Sequence, residues 1–544
     1  MLRRDENRKR FGIVVAILGS LFLVRMARAD AAWQEQAKLL AQDGAAYDYL
    51  GDSVSTDGDY VILGAPYDDD RGDDSGSAYI FKRDEREWIP QAKLITSDGL
   101  ANDRFGYSVC ISGNYAIVGA PYDDDGGTDS GSAYIFRRSG TSWTQQAKLT
   151  APDGATEDLF GTAVSISGDY AIVGVHYDDD RGDASGSAYI FRRSGTSWLP
   201  QAKLTASDGS AYDEFGCSVS ISGDYAIVGA IRGDSRGLEC GCAYIFIRSG
   251  TTWTQQAKLV APDAEADDKF GFSVSINGDF AIVGVIFDDP KRTDSGSAYI
   301  FRRNGTSWLQ QAKLVASDSN AFDEFGKSVS ISPDYAVVGA HYNDDRGGQS
   351  GSAYIFKCDG TDWFQQAKLT ASDGDNYDQF GASVSISGDY VAVGASYNDD
   401  RGTNSGSAYI FRKACPLADL NGDCGTDFID FALLATHWLG TGCELAYWCS
   451  GTDLDHSSYI DWTDFAAFAQ QWRRTGCAGP GWCNGADINH SSQVDWTDLS
   501  VIAGRWLEGG CDRRWCDGAD FNHSGKVDWD DVCVFAEQWL QFGK

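Results

Sequence analysis

The pair Phe-Gly recurs at Phe105, Phe160, Phe215, Phe270, Phe325 and Phe380, each 55 residues after the last, and Leu50-Gly51 stands one period earlier as a divergent first copy. A unit of this length cannot bury both of its own faces, so seven copies must stack on one another. The copy from Phe105 divides into a stretch FGYSVCIS, a turn at Ser112-Gly113-Asn114, YAIVGA, then SAYIFRR, a turn at Ser139-Gly140-Thr141-Ser142, and a last stretch from Trp143 through Ala147-Lys148-Leu149. Alternating or apolar stretches of strand length between Gly and Asn turns predict four antiparallel strands. With 63 Gly and only 2 Met, the composition agrees with many short strands rather than long helices.

The ends of the repeated region predict a closed ring. The chain opens at Trp33 with a lone fourth strand containing Ala37-Lys38-Leu39, and the last copy stops at Phe411-Arg412-Lys413 without one. The first strand can therefore complete the seventh unit, which an open solenoid would not need. The expected fold is mainly β, a seven-bladed β-propeller of four-stranded blades over residues 30–413, followed by a small α-helical calcium-loop module over 414–544.

Gly-Ala closes the second strand at Gly64-Ala65, Gly119-Ala120, Gly229-Ala230, Gly339-Ala340 and Gly394-Ala395, with Gly174-Val175 and Gly284-Val285 in the other two copies. Together with Phe-Gly, this pattern resembles the FG-GAP repeat of integrin α-subunit propellers and of bacterial surface proteins. Proline completes the motif only at Pro66 and Pro121. Some members of that family hold calcium in a DxDxDG loop between the Phe-Gly and Gly-Ala elements. This chain has only a tight turn there, such as Ser222-Gly223-Asp224, so those calcium residues do not carry over.

Acid is concentrated in two connections that antiparallel strands place on one face of the disc. One holds runs such as Asp68-Asp69-Asp70 and Asp123-Asp124-Asp125; the other has Asp at both ends, as in Asp98 and Asp103. Oxygen-rich loops suit Ca²⁺, and the same residues also cap turns through local hydrogen bonds. Arg71-Gly72-Asp73 and Arg181-Gly182-Asp183 spell a cell-adhesion tripeptide, in loops already rich in Arg, Gly and Asp; copies such as the sixth, with Arg346-Gly347-Gly348, lack it. The fourth copy departs from the pattern, with Ile231-Arg232-Gly233-Asp234-Ser235 in place of the acidic run and Cys240 and Cys242 in place of serines.

The first 29 residues have the form of a secretory signal peptide: Arg3, Arg4, Arg8, Lys9 and Arg10, an apolar run from Phe11 to Val24, and Ala27-Arg28-Ala29 as the cleavage site. The apolar run is shorter than the roughly 20 residues that span a bilayer, so a secreted or cell-surface protein without a transmembrane span after cleavage is expected. A net charge of −34 excludes nucleic acid as a partner, since that binding rests on Lys and Arg neutralising phosphates.

From Asp419 a second repeat of 33 to 34 residues begins, with loops DLNGDCGTDFID, DLDHSSYIDWTD, DINHSSQVDWTD and DFNHSGKVDWDD. Oxygen side chains fall at positions 1, 3, 5, 9 and 12 of a twelve-residue calcium loop. The expected ligands are Asp419, Asn421, Asp423, Asp427 and Asp430; Asp453, Asp455, Ser457, Asp461 and Asp464; Asp487, Asn489, Ser491, Asp495 and Asp498; and Asp520, Asn522, Ser524, Asp528 and Asp531. Position 6 is glycine only at Gly525, and position 12 is Asp rather than Glu. Each loop leads into one apolar helix pattern ending at Trp438, Trp472, Trp506 or Trp539. A calcium loop with only an exit helix resembles dockerin, which implies a cohesin-like protein partner, although dockerins have two such units and this chain has four. Nine of the 14 cysteines lie from Cys415 onward. Cys443 with Cys449, Cys477 with Cys483 and Cys511 with Cys516 bracket short connectors suited to local disulfides, with Cys415 and Cys424 a further pair and Cys533 left over.

The sequence is compatible with three classes of function. Only His176 and His341 enter the propeller, in equivalent loops, and no nucleophile stands beside them in sequence. No catalytic residue or organic cofactor is therefore assigned. The expectation is a Ca²⁺-binding, non-catalytic attachment protein, its propeller meeting protein or carbohydrate; a glycoside-hydrolase component and a passive structural surface protein are the alternatives.

Overall fold

A computed structural model describes residues 33–84, 87–234 and 238–414, and Ala32–Lys413 forms one compact unit. It holds seven four-stranded antiparallel sheets. In the second blade the strands are Ser108–Ser112, Tyr115–Ala120, Ser132–Ser139 and Ser142–Leu149, in that order across the sheet. The first strand is shorter than the expected FGYSVCIS. Phe105 instead forms an isolated bridge to Gly76 of the preceding blade, and only the fourth and fifth blades carry the strand back to Phe215 and Phe270.

The ring closes as the terminal sequences predict. Trp33–Leu39 pairs with Ser407–Lys413 from Trp33 opposite Lys413 to Leu39 opposite Ala408, supplying the outer strand of the seventh blade. The leader and the calcium-loop region lie outside the described residues.

First strands of neighbouring blades touch around the axis, fourth strands form the rim, and the middle two are covered on both sides. Burial on both faces explains why YAIVGA is a continuous apolar run rather than an alternating one. Seven hydrophobic cores result, each lying between two consecutive blades; one joins Ile117, Ile135 and Leu149 to Phe160, Val173 and Phe191.

Two glycines set the spacing between blades. A Cβ on Gly64, in the Gly-Ala element, would stand 1.9 Å from the carbonyl oxygen of Gly106, in the next blade's Phe-Gly element; Gly394 meets Gly51 across the closure at 2.0 Å. The repeat motif is thus a backbone-to-backbone contact that no side chain can enter.

Polar links repeat from blade to blade as well. The inner strand would otherwise expose an unpaired edge. The Ser55 hydroxyl accepts from the Ile111 amide at 3.1 Å, Ser165 from Ile221 at 3.2 Å, and Ser385 from Thr56 across the closure at 3.0 Å; Cys110 takes this position for the Ile166 amide. On the rim, each third-to-fourth strand pair carries a β-bulge that re-aims one glutamine toward the next blade. Gln91 so receives the Trp143 indole N–H at 2.9 Å, and Gln366 receives that of Trp33 at 3.2 Å.

Candidate ligand-binding face

The connections from second to third strand, and from fourth strand to the next first strand, emerge on one face, and most propeller carboxylates are there. They converge on a lysine. Lys93 Nζ lies 2.8 Å from Asp43, 3.0 Å from Asp68 and 2.5 Å from Asp70. Lys148 repeats this with Asp98, Asp123 and Asp125, Lys203 with Asp153, Asp178 and Asp180, and Lys38 joins Asp373 and Asp400 at the closure. These are the lysines of the Ala-Lys-Leu triplets. Each ammonium lies over the tyrosine of the neighbouring Ser-Ala-Tyr-Ile-Phe strand, and the Tyr79 hydroxyl lies 2.8 Å from Asp68 and 3.0 Å from Asp43, either of which can accept its one proton. Burial opposes charge on Lys93, yet Asp43, Asp70 and Asp68 hold its pKa above the ordinary lysine range. Burial likewise works against Asp123, but Tyr134 and Lys148 keep its carboxyl below the usual range.

The remaining acids shape the loops. Asp69 caps its loop by accepting the Asp74 amide at 2.8 Å, as Asp124 does for Asp129. Among the described residues, no three or more His, Cys, Asp or Glu are gathered so as to hold a metal ion. Arg71 and Asp73 are exposed at a turn where Gly72 has φ of 141°. Gly347 and Gly402 repeat that conformation in loops lacking the tripeptide, so the Arg-Gly turn belongs to the loop itself.

A second set of acids is buried. Asp103 accepts the Leu100 amide at 2.7 Å and lies near Asp123. Burial, with a contribution from Asp123, raises its pKa to about 6; Asp48, Asp158 and Asp268 are raised to about 6 in the same way. In the sixth blade Asn343 replaces the neighbouring acid and donates its amide to Asp323 at 3.2 Å, an arrangement repeated by Asn398 and Asp378 at 3.3 Å. The folded protein binds the Asp103 proton more tightly than the unfolded chain, whose pKa is about 3.9. Stability from this group is therefore present below pH of about 4 and lost as pH rises through 6. Asp103→Asn should raise stability at pH 8 by on the order of 1–2 kcal/mol after solvent screening, with the gain fading by pH 4; thermal melts across pH check this.

The fourth blade's departure is a compensated exchange. Gly233 stands where four blades have the first loop acid (Asp68, Asp123, Asp178 and Asp288) and two have Asn343 or Asn398, and a Cβ there would lie 2.5 Å from Cys242 Sγ, so the sulfur occupies the vacated space. Cys242 also lies 3.4 Å from the Tyr244 hydroxyl, and Lys258 keeps Asp208 at 2.7 Å. None of the five described cysteines is disulfide-bonded.

The blades differ most at the axial mouth, on the residues flanking Phe-Gly and following Gly-Ala. Arg104 lies between two rings, 4.8 Å from Tyr67 and 4.4 Å from Tyr122. Tyr49 extends this arc to Tyr67 and Tyr397 at 5.1 and 4.9 Å. Elsewhere on the mouth Arg232 pairs with Glu214 at 3.2 Å, and Lys327 lies 4.8 Å over Phe272. Burial raises the Asp52 carboxyl, against the pull of Lys327 and Ser396.

The two histidines come to this mouth. His341 is buried, stacks on Tyr342 at 3.8 Å and is pushed down to about 2 by burial and by Lys327; burial pushes His176 down to about 4. Both are neutral imidazoles at physiological pH. Sequence reasoning singled out these histidines but not the mouth, whose signal is a set of variable columns beside invariant glycines. The twenty expected calcium ligands, from Asp419 to Asp531, and the cysteine pairs from Cys415 lie outside the described residues.

Seven four-stranded sheets closed by a terminal strand, with a loop face where the repeat breaks at the axis, define a seven-bladed β-propeller. The FG-GAP repeat family matches residues 33–81, 88–136, 143–191, 198–246, 253–301, 308–356 and 363–411, and the chain belongs to it. No curated protein matches the sequence. Similar solved structures include a chain of the mitotic checkpoint complex, 11% identical with a TM-score of 0.42, covering 71% of this chain and 94% of that one. The WD40 β-propeller domain of Doa1 is 12% identical with a TM-score of 0.41, covering 70% and 97%. A protein from Lactobacillus plantarum is 13% identical with a TM-score of 0.39, covering 62% and 88%.

Proposed function

We propose that this chain is a secreted or cell-surface attachment protein. Its propeller captures a protein or carbohydrate ligand on the loop face without catalysis, and its four C-terminal loops bind Ca²⁺ and engage a cohesin-like or other surface protein. The observation that carries this reading is the axial mouth. A ring repeated so closely elsewhere changes residue type there, placing aromatic, cationic and acidic groups together as ligand sites do.

Immobilised full-length chain, incubated with extracellular proteins and soluble glycans with and without a calcium chelator, tests the reading. We expect retention of a ligand that Arg104→Ala weakens at least about tenfold, as loss of a central cationic anchor should, and a second, chelator-sensitive protein partner. Turnover of a glycan would replace this reading with the glycoside-hydrolase one. Retention of nothing under either condition would leave the passive structural protein.

A further inference from the structure

Two residues before each mouth position, the same loops hold a residue with positive φ, between 67° and 73°, in all seven blades: Tyr47, Asn102, Glu157, Tyr212, Asp267, Phe322 and Tyr377. Its amide is fixed to the preceding blade's loop, as Tyr47 is to the Thr403 carbonyl at 2.7 Å and Tyr377 to that of Gly348 at 2.8 Å. That conformation suits Asn and Asp and is costly for bulky side chains. Blades using Asn102 and Asp267 build the same turn, so the fold does not require a ring here. Four blades nonetheless place one, and it points to solvent: Tyr47 is 55% exposed, Tyr212 56%, Phe322 58% and Tyr377 63%.

We propose that Tyr47, Tyr212, Phe322 and Tyr377 are stacking platforms on which the loop face binds a neutral polysaccharide. This rests on the attachment reading above and names its ligand class. Protein interfaces gather their rings into a contiguous apolar centre with a polar rim. Here the four rings belong to separate loops, each beside a buried or half-exposed carboxylate, and the Tyr212 hydroxyl donates to Asp183 at 3.0 Å. Rings set apart among hydrogen-bonding groups match a ligand that itself repeats, offering apolar C–H faces between hydroxyls. The acid-rich loops and the net charge of −34 repel a polyanionic chain and leave a neutral one unopposed.

The test is affinity electrophoresis of the full chain through gels containing a soluble β-glucan, a mannan or polygalacturonate. Three chains are compared: wild type, the fourfold Tyr47→Asn, Tyr212→Asn, Phe322→Asn and Tyr377→Asn variant, and Arg104→Ala. Asn is the residue the second blade already uses, so the fourfold variant should melt where wild type does. We expect retardation by at least one neutral glycan and not by polygalacturonate. The fourfold variant should lose about tenfold or more of that affinity, and each single change a smaller share, as separate contacts along one chain combine. Loss in Arg104→Ala with none in the fourfold variant would overturn the platforms while keeping the mouth as the attachment site. Retardation by none of the neutral glycans, or a protein partner released by the fourfold change, would overturn the proposal outright.

Discussion

A chain lacking Trp33–Leu39 should melt far below the intact protein and self-associate. The strand contributes two buried side chains, Trp33 and Leu39, to the cores flanking the seventh blade, and hydrogen-bonds along Ser407–Lys413. Trp33 also packs on Tyr335 at 5.6 Å, and Lys38 holds Asp373 and Asp400. Burial of a large side chain is worth roughly 2–3 kcal/mol and its removal from a packed core about 3–5 kcal/mol. Loss of the whole strand should therefore cost at least that much, and the bared edge of Ser407–Lys413 becomes a template for another chain. Calorimetry with size-exclusion chromatography measures both effects. Adding the peptide Trp33–Leu39 in trans should restore part of the melting temperature. An unchanged melting temperature in the truncated chain would mean that the seam does not hold the ring.

Gly119→Ala should be among the most damaging single substitutions in the propeller, and Gly113→Ala among the milder glycine changes. At Gly119 the new methyl would stand 2.0 Å from the Gly161 carbonyl oxygen and 2.4 Å from Ser108 Oγ. The first obstacle is the next blade's backbone, which cannot turn aside as a flexible side chain would. Separating two blades there forfeits packing along a whole interface, which places the cost above about 3 kcal/mol. At Gly113 nothing lies within 4 Å of the new methyl, and the penalty is that of φ at 58°, about 1 kcal/mol. Denaturant titration of the two variants separates them. Equal costs would refute backbone contact as the reason for the glycine in Gly-Ala.

Much of this architecture is legible in the sequence because a 55-residue period repeats every local signal seven times. Strand number, ring closure and the face carrying the acid all follow from alternation, turns and the incomplete terminal copy. The features not legible in the sequence depend on contacts between copies. Lys93 and Lys148 mark a strand in sequence, and only the fold brings each to carboxylates from two loops. The bulged Gln91 and the indole of Trp143 are likewise partners only once consecutive blades stand side by side. Acid runs that invite a cation by composition thus contain one already, an ammonium carried on the adjoining strand. The exposed rings of Tyr47 and Tyr377 share one position of the 55-residue repeat with Asn102 and Asp267, and the backbone conformation that makes a ring unusual there is not written in residue type.

The seam between the first and last strands has a mechanical consequence. Third strands run away from the loop face, so Lys413 ends its strand on the side opposite the mouth, next to Trp33. Tension applied through Lys413, with the loop face held by its ligand, acts along a strand bonded on both flanks, to Tyr390–Ala395 and to Trp33–Leu39. Those bonds lie across the pull and share the load together instead of parting one by one. A tether drawn through the chain's last blade therefore meets resistance along the full length of that strand.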